Sequence, residues 1–188
     1  MRPGRTNTSV SLLPTLTAQV LTPSQAAAAE VSLVVFELDG DRYALDAAIV
    51  DRALRAVRPT PLPGAPPVVL GIVDVHGEVV PLLDVRQRFG KPRRPIAAED
   101  VMVLARTERR PVALLVDAVT GVEDVPRSAL EVSPEVLPGT ELVSGVVTLD
   151  GGLVLVHDLE RFLSLEEQEE LDRAMEGMDG VGDAAGAD

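Results

Sequence analysis

Three times in this chain a short β-favouring run meets an X-Gly pair and another such run follows at once. Val34-Val35-Phe36-Glu37-Leu38 meets Asp39-Gly40 and returns as Arg42-Tyr43-Ala44-Leu45. Gly71-Ile72-Val73-Asp74-Val75 meets His76-Gly77 and returns as Glu78-Val79-Val80-Pro81-Leu82-Leu83. Leu142 to Leu149 meets Asp150-Gly151 and returns as Gly152-Leu153-Val154-Leu155-Val156. Glycine adopts positive φ without a Cβ clash, so such a pair between β runs is a strong hairpin signal. Pro81 has no N–H for a ladder, which predicts an edge or a bulge at that point.

Between the hairpins the reading is coarser. Asp46 is placed to cap a short helical turn over Ala47–Ala53, with extended chain from Leu54 to Arg58. Pro59, Pro61, Pro63, Gly64, Pro66 and Pro67 leave only a loop. Asp84 caps a turn over Val85–Phe89. Asp100–Arg106 and the near-continuously apolar Pro111–Val119 read as strands, the second buried on both faces, and Gly121–Val125 as a short alternating strand. Pro126–Leu130 and Pro134–Pro138 read as loops or single turns, and Asp158 caps Leu159–Leu163. Ser164-Leu165-Glu166-Glu167 has the form of a capping box opening a helix over 164–176. Residues 1–30, rich in Thr, Ser, Pro and Ala, read as a flexible leader, and 177–188 as a disordered acidic tail. Many short strands with few helices predict an all-β barrel or sandwich. The chain on either side of residue 95 has a similar outline, without a convincing sequence repeat.

Composition narrows the function. With 46% hydrophobic but only 2% aromatic residues, the core must be built from Val, Leu, Ile and Ala. The absence of cysteine removes disulfides, thiolate metal sites and thiol catalysis, and fits a reducing compartment. A formal charge of −13 argues against nucleic acid as the main partner. No run of eighteen apolar residues predicts membrane insertion. His76 and His157 have no ligand spacing, so neither a metal nor a cofactor is expected. Asp74, Glu78 and Asp84 flank one hairpin without forming a recognisable acid–base pair, and no nucleophile–base set or phosphate-binding glycine loop is present. An enzyme using those three carboxylates is the weakest reading. A binding module that docks partner helices or strands on apolar β surface is the strongest.

The ordered pieces resemble the CheW-like family, the coupling proteins of bacterial chemosensory arrays. They are Val34–Gly40 with Tyr43–Asp46; Val50; Gly71–Arg86 with Phe89-Gly90; Leu114–Val119; and Ser144–Val147 with Gly152–Glu160. Together they span about residues 31–163. The most specific is G-x-x-x-x-x-G-x-x-x-P-x-x-D-x-R-x-x-F-G, from Gly71 to Gly90.

The resemblance implies two SH3-like five-stranded β-barrels sharing one core, with short helices and a C-terminal helix. It implies a cytoplasmic, non-enzymatic adaptor without cofactor. Its partners would be the cytoplasmic tip of a chemoreceptor and the regulatory domain of a CheA-type histidine kinase, with homotypic CheW-like contacts as a further mode. The binding positions it implies are Val50, Arg52, Gly71, His76, Gly77 and Val79. For the two glycines, plain turn geometry is the alternative. For the Asp84-x-Arg86 hallmark, a cap with local hydrogen bonds is favoured over partner contact. The family usually has arginine where His76 stands and an acid where Arg52 stands, so the salt bridge of the family cannot form here. That departure keeps open an alternative: a divergent CheW-like interaction protein of a specialised system, retaining only some partners or competing with a coupling protein.

Overall fold

The computed structural model describes residues 30–131 and 142–182. Ten strands form two five-stranded sheets. The strands are β1 (Glu30–Leu38), β2 (Asp41–Asp46), β3 (Val50–Arg55), β4 (Val69–Val75), β5 (Glu78–Leu83), β6 (Val101–Arg106), β7 (Pro111–Val116), β8 (Ala118–Pro126), β9 (Val143–Leu149) and β10 (Gly152–His157). One helix, α1 (Leu165–Gly182), follows. The expected pair of five-stranded β units around a common core is therefore present.

The sheets are not the two halves of the chain. One is ordered β8-β1-β2-β10-β9 and the other β3-β6-β7-β5-β4. Each takes two strands from one half and three from the other. The exchange is sealed by two short parallel contacts, Leu155 and Val156 beside Tyr43 and Ala44, and Leu82 and Leu83 beside Ala113 and Leu114.

Local sequence explains the two crossings. After β2, Asp46 accepts a hydrogen bond from the Ala48 N–H and caps a single 3-10 turn, Ala47–Ile49. The β-branched Val50 then leads into β3, which pairs with β6. The predicted helical turn thus ends at Ile49, and Asp51, Arg52 and Ala53 are strand. After β7, the single residue Asp117 breaks what reads as one strand, and the chain passes into β8 of the other sheet. The short run Gly121–Val125 is part of this nine-residue strand, which follows β1 along its length.

Pro81 corrects another expectation. It lies in β5, between β4 and β7, and not at an edge. The two-residue turn closes on the hydrogen-bonded pair Val75–Glu78, and alternation makes Ile72–Pro81 a non-bonded pair. The imide nitrogen therefore faces β7, where pairing starts only at Leu82.

Period-two alternation sorts side chains into three layers. Phe36, Leu38, Tyr43 and Leu45 of one sheet meet Leu83, Val103, Val112 and Leu114 of the other in the central layer. Leu33, Val35 and Ala44 point the opposite way, toward Val125, Val147 and Val154. Met102, Leu104, Ala113 and Leu115 do the same toward Val73 and Val80. Strands buried on both faces explain why β1 and β7 read as continuous apolar runs.

The capping box of α1 is complete: Ser164 N–H donates to Glu167 Oε2 at 2.9 Å, and Glu167 N–H to Ser164 Oγ at 3.2 Å. The helix continues to Gly182, past the expected end at 176 and into what reads as tail. Leu171 packs with Leu62 and Ile72 beneath it. The leader up to residue 29, the Pro134–Pro138 segment and residues 183–188 lie outside the described residues. No described helix is long and apolar enough to cross a membrane.

His157 ends β10 inside an aromatic cluster, its ring 4.4 Å from Phe89, 5.6 Å from Tyr43 and 5.8 Å from Phe162. Its Nδ1 lies 3.1 Å from the Leu142 carbonyl, and Nε2 is buried without a hydrogen bond among the described residues. Burial pushes its pKa down to about 4, against the opposing pull of the Leu142 carbonyl. The unfolded chain, with an ordinary imidazole pKa near ~6.5, binds the proton first as pH falls. The stability held in neutral His157 is complete above that value and lost on descending to about 4. Urea unfolding is expected to lose ~3 kcal/mol through this window from this group. A His157→Phe variant should flatten that part of the profile; an unchanged slope would contradict it.

Candidate functional site

The Asp84-x-Arg86 turn forms as its sequence suggests. Asp84 Oδ1 accepts from the Arg86 N–H at 3.1 Å, and Gly90 closes the turn in the left-handed conformation. What the turn holds is not local. Arg86 is 1% exposed and its guanidinium reaches two carboxylates distant in sequence. Nη1 donates to Asp39 Oδ1 at 2.7 Å, and Nη2 to Asp117 Oδ1. Asp39 belongs to the β1–β2 turn, Arg86 follows β5, and Asp117 is the crossing between β7 and β8.

Asp117 is the hub. Its Oδ2 accepts the Asp39 N–H at 2.7 Å, and Oδ1 also accepts Arg94 Nη2 at 2.6 Å. Arg94 turns its other face to Asp100, with bonds of 2.8 and 2.5 Å. Burial pushes the Asp100 carboxyl up, but hydrogen bonds from Arg94 and the Ala97 N–H outweigh it and hold it below the usual range. Hydrogen bonding to Asp100 raises the Arg94 pKa further, against burial. The chain Asp39–Arg86–Asp117–Arg94–Asp100 ties both sheets and the connector after Gly90 into one frame. A lone carboxylate inside an apolar run needs a partner. Asp117 within Pro111–Val119 was that signal, and it was legible in the sequence.

Gly71 is a packing position, not a turn. It sits in β4 at a register shift, with φ +142. A Cβ there would lie 2.2 Å from the Thr60 carbonyl oxygen. Thr60 and Ile72 exchange both backbone hydrogen bonds at 2.8 Å, pinning the Pro59–Pro67 loop to the strand. His76 and Gly77 do form the turn, with φ of +57 and +89, the two positive values of a type I′ hairpin. Asp74 Oδ1 accepts the Gly77 N–H at 2.8 Å.

Residues 32–167 match the CheW-like domain family. The chain belongs to that family. It is 30% identical over 141 residues to a probable chemotaxis protein CheW of Rhizobium etli, covering 73% of this chain and 90% of that one. It is 29% identical over 140 residues to chemotaxis protein CheW of Rhizobium meliloti, with the same coverage. Among solved structures it resembles the scaffolding protein TtCheW of Thermoanaerobacter tengcongensis, with a TM-score of 0.68, 25% identity, and 74% of this chain and 96% of that one covered.

As a member of a chemotaxis scaffold family, this chain presents the expected binding positions unevenly. Val50 begins β3, half-buried against the central core. Arg52 is exposed on the same strand, beyond a bulge opposite Ala105 and Leu104. His76 and Gly77 form the exposed tip of the β4–β5 hairpin, and Val79 beside it is 41% exposed. β3 and β4 stand at opposite ends of the sheet order, so strand pairing does not join these positions. A cleft is lined by the neighbouring Asp51 of β3 and Glu78 of the hairpin, with Arg106 and the β6–β7 turn, and none of the expected binding positions is in its lining. Arg106 Nε donates to Asp51 Oδ2 at 2.9 Å. Neither Arg52 nor His76 has an ion pair with a described residue. Gly71, Asp84 and Arg86 are buried.

Two substitutions test the frame. Arg86→Leu leaves Asp39 and Asp117 facing each other without their shared cation and is expected to destabilise the fold by ~3 kcal/mol or more in urea titration. Gly71→Ala should cost several kcal/mol, because the methyl meets the Thr60 carbonyl in a conformation that L-residues rarely adopt. An alanine variant as stable as the parent would show that the Thr60–Ile72 bridge yields.

Proposed function

We propose that this chain is a non-enzymatic, cytoplasmic adaptor that couples the tip of a chemoreceptor to the regulatory domain of a CheA-type histidine kinase. The observation that carries the reading is a division of labour in the Gly71–Gly90 segment. Its buried residues, Gly71, Asp84 and Arg86, lock a rigid frame, while His76, Gly77 and Val79 stand free at its tip. A rigid element presenting a few exposed apolar and basic groups suits docking, because little conformational entropy is lost on binding. Family membership supplies the partners. Allosteric coupling then follows if receptor and kinase each bias the geometry of one frame.

A second reading rests on Arg52 and His76. Both are exposed, and neither is engaged within the described residues. Where the family usually carries an acid and an arginine stand Arg52 and His76, beside the exposed carboxylates of Asp51, Asp74 and Glu78. This exchange favours a divergent adaptor of a specialised system that keeps only some partners.

Pull-down and titration against receptor-tip and kinase regulatory-domain fragments test both readings. Val79→Asp is expected to weaken binding at least about tenfold, equivalent to ~1.4 kcal/mol, without lowering stability. Under the second reading, Arg52→Glu with His76→Arg raises affinity for standard fragments from near nothing. Strong wild-type binding assigns the first reading, and no binding by either protein removes both.

A further inference from the structure

The underside of α1 is built differently from the rest of the core. Leu171 is the helix's fully buried contact, with Ala174, Met175 and Met178 continuing its stripe against Leu62, Val69 and Ile72. The packing is incomplete: a cavity of about 20 Å³ remains between Val112, Leu159, Phe162 and Leu171. Around this apolar strip stand three arginines from two separate turns. Arg88, in the turn after β5, pairs with Glu167. Arg109 and Arg110, in the β6–β7 turn, both pair with Asp172, Arg109 at 2.8 Å. All three arginines are partly exposed, so these pairs are weakened by salt and by competing carboxylates.

α1 is well capped at its start but weak at its C-terminal end. Gly177, Gly180 and Gly182 fall in its last six residues, and its last turn has no basic residue to meet the dipole. Residues 164–188 hold nine acids and the single base Arg173. The groove therefore holds the helix more than the helix holds itself. An arginine-rimmed apolar groove with a weakly self-stable acidic helix in it has the form of a docking site with a tethered occupant.

We propose that the groove beneath α1 is a binding site for an acidic amphipathic helix of a partner protein, and that α1 occupies it until such a helix displaces it. The partner's chemistry is read from α1: two carboxylates five residues apart beside a stripe of leucine, small residues and methionine. The charge match is direct, since three cationic side chains face a helix whose own surplus is anionic. The groove meets the cleft beside β3 at the β6–β7 turn, where Arg109 and Arg110 line both. The inference is separated from the receptor–kinase reading by its readout, which is α1 exchange and peptide binding and uses no receptor or kinase fragment.

The probe is a labelled synthetic peptide of residues 164–182, titrated into the full chain and followed by fluorescence anisotropy. A scrambled peptide of the same composition is the control. Asp172→Arg in the full chain should release its own α1, seen as lost amide-exchange protection over 165–178 with the strands unchanged. That variant should bind the native peptide at least tenfold tighter than wild type does. Leu171→Asp provides a second way to release α1, and in that background, where no charge swap redocks the helix, Arg109→Glu with Arg110→Glu should abolish peptide binding. Equal binding of the scrambled peptide, no gain on releasing α1, or unchanged protection in both release variants would overturn the proposal. A wild-type dimer that dissociates when Asp172 is reversed would assign the groove to a second copy instead and overturn it as stated.

Discussion

The buried guanidinium of Arg86 is the constraint on which the rest of this structure rests. A guanidinium at 1% exposure needs a partner for its charge. The fold brings two distant carboxylates, Asp39 and Asp117, to its terminal nitrogens, while its Nε is buried without a hydrogen bond among the described residues. Each comes from a place where chain direction changes. Asp39 turns β1 into β2, and Asp117 carries the chain from one sheet to the other. The ion network therefore sits at the joints of the fold, where a misplaced crossing would leave a charge buried and unpaired. Correct topology is the arrangement in which these opposite charges are paired.

That coupling matters because the two sheets exchange strands. Neither half of the chain contains a complete sheet, so neither lobe forms without the other. The central layer, where Phe36 and Tyr43 meet Leu83 and Leu114, supplies the apolar part of this mutual dependence. The network around Asp117 supplies the polar part. Through Asp84 and Arg86 the end of the β4–β5 hairpin is bonded to turns belonging to the other sheet, so a polar link joins the lobes beside the shared core.

The outer surface follows a different rule. The β4–β5 tip, β3 and the β6–β7 turn carry charge and isolated apolar groups without much burial, and here substitution is cheap in stability. Arg52 and His76 lie at these exposed positions, while Gly71, Asp84 and Arg86 are buried. Where the side chain is packed, physics allows few residues; where it faces solvent, only a partner sets the choice.

The sequence by itself determined the hairpins, the caps and the ordered motif. Each rests on contacts within a few residues: an X-Gly turn, an aspartate accepting the second N–H beyond it, a Ser-x-x-Glu box. β7 stops at Asp117 inside an apolar run, the turn after Asp46 stops at Ile49, and α1 extends to Gly182, because packing and pairing partners far along the chain decide where an element stops. Only the tertiary structure decided that Arg86 meets Asp39 and Asp117, that Gly71 makes room for the Thr60 carbonyl, and that Pro81 lies inside a sheet. Those facts depend on which segments are neighbours in space, and neighbours separated by 31 or 47 residues leave no period or spacing in the sequence.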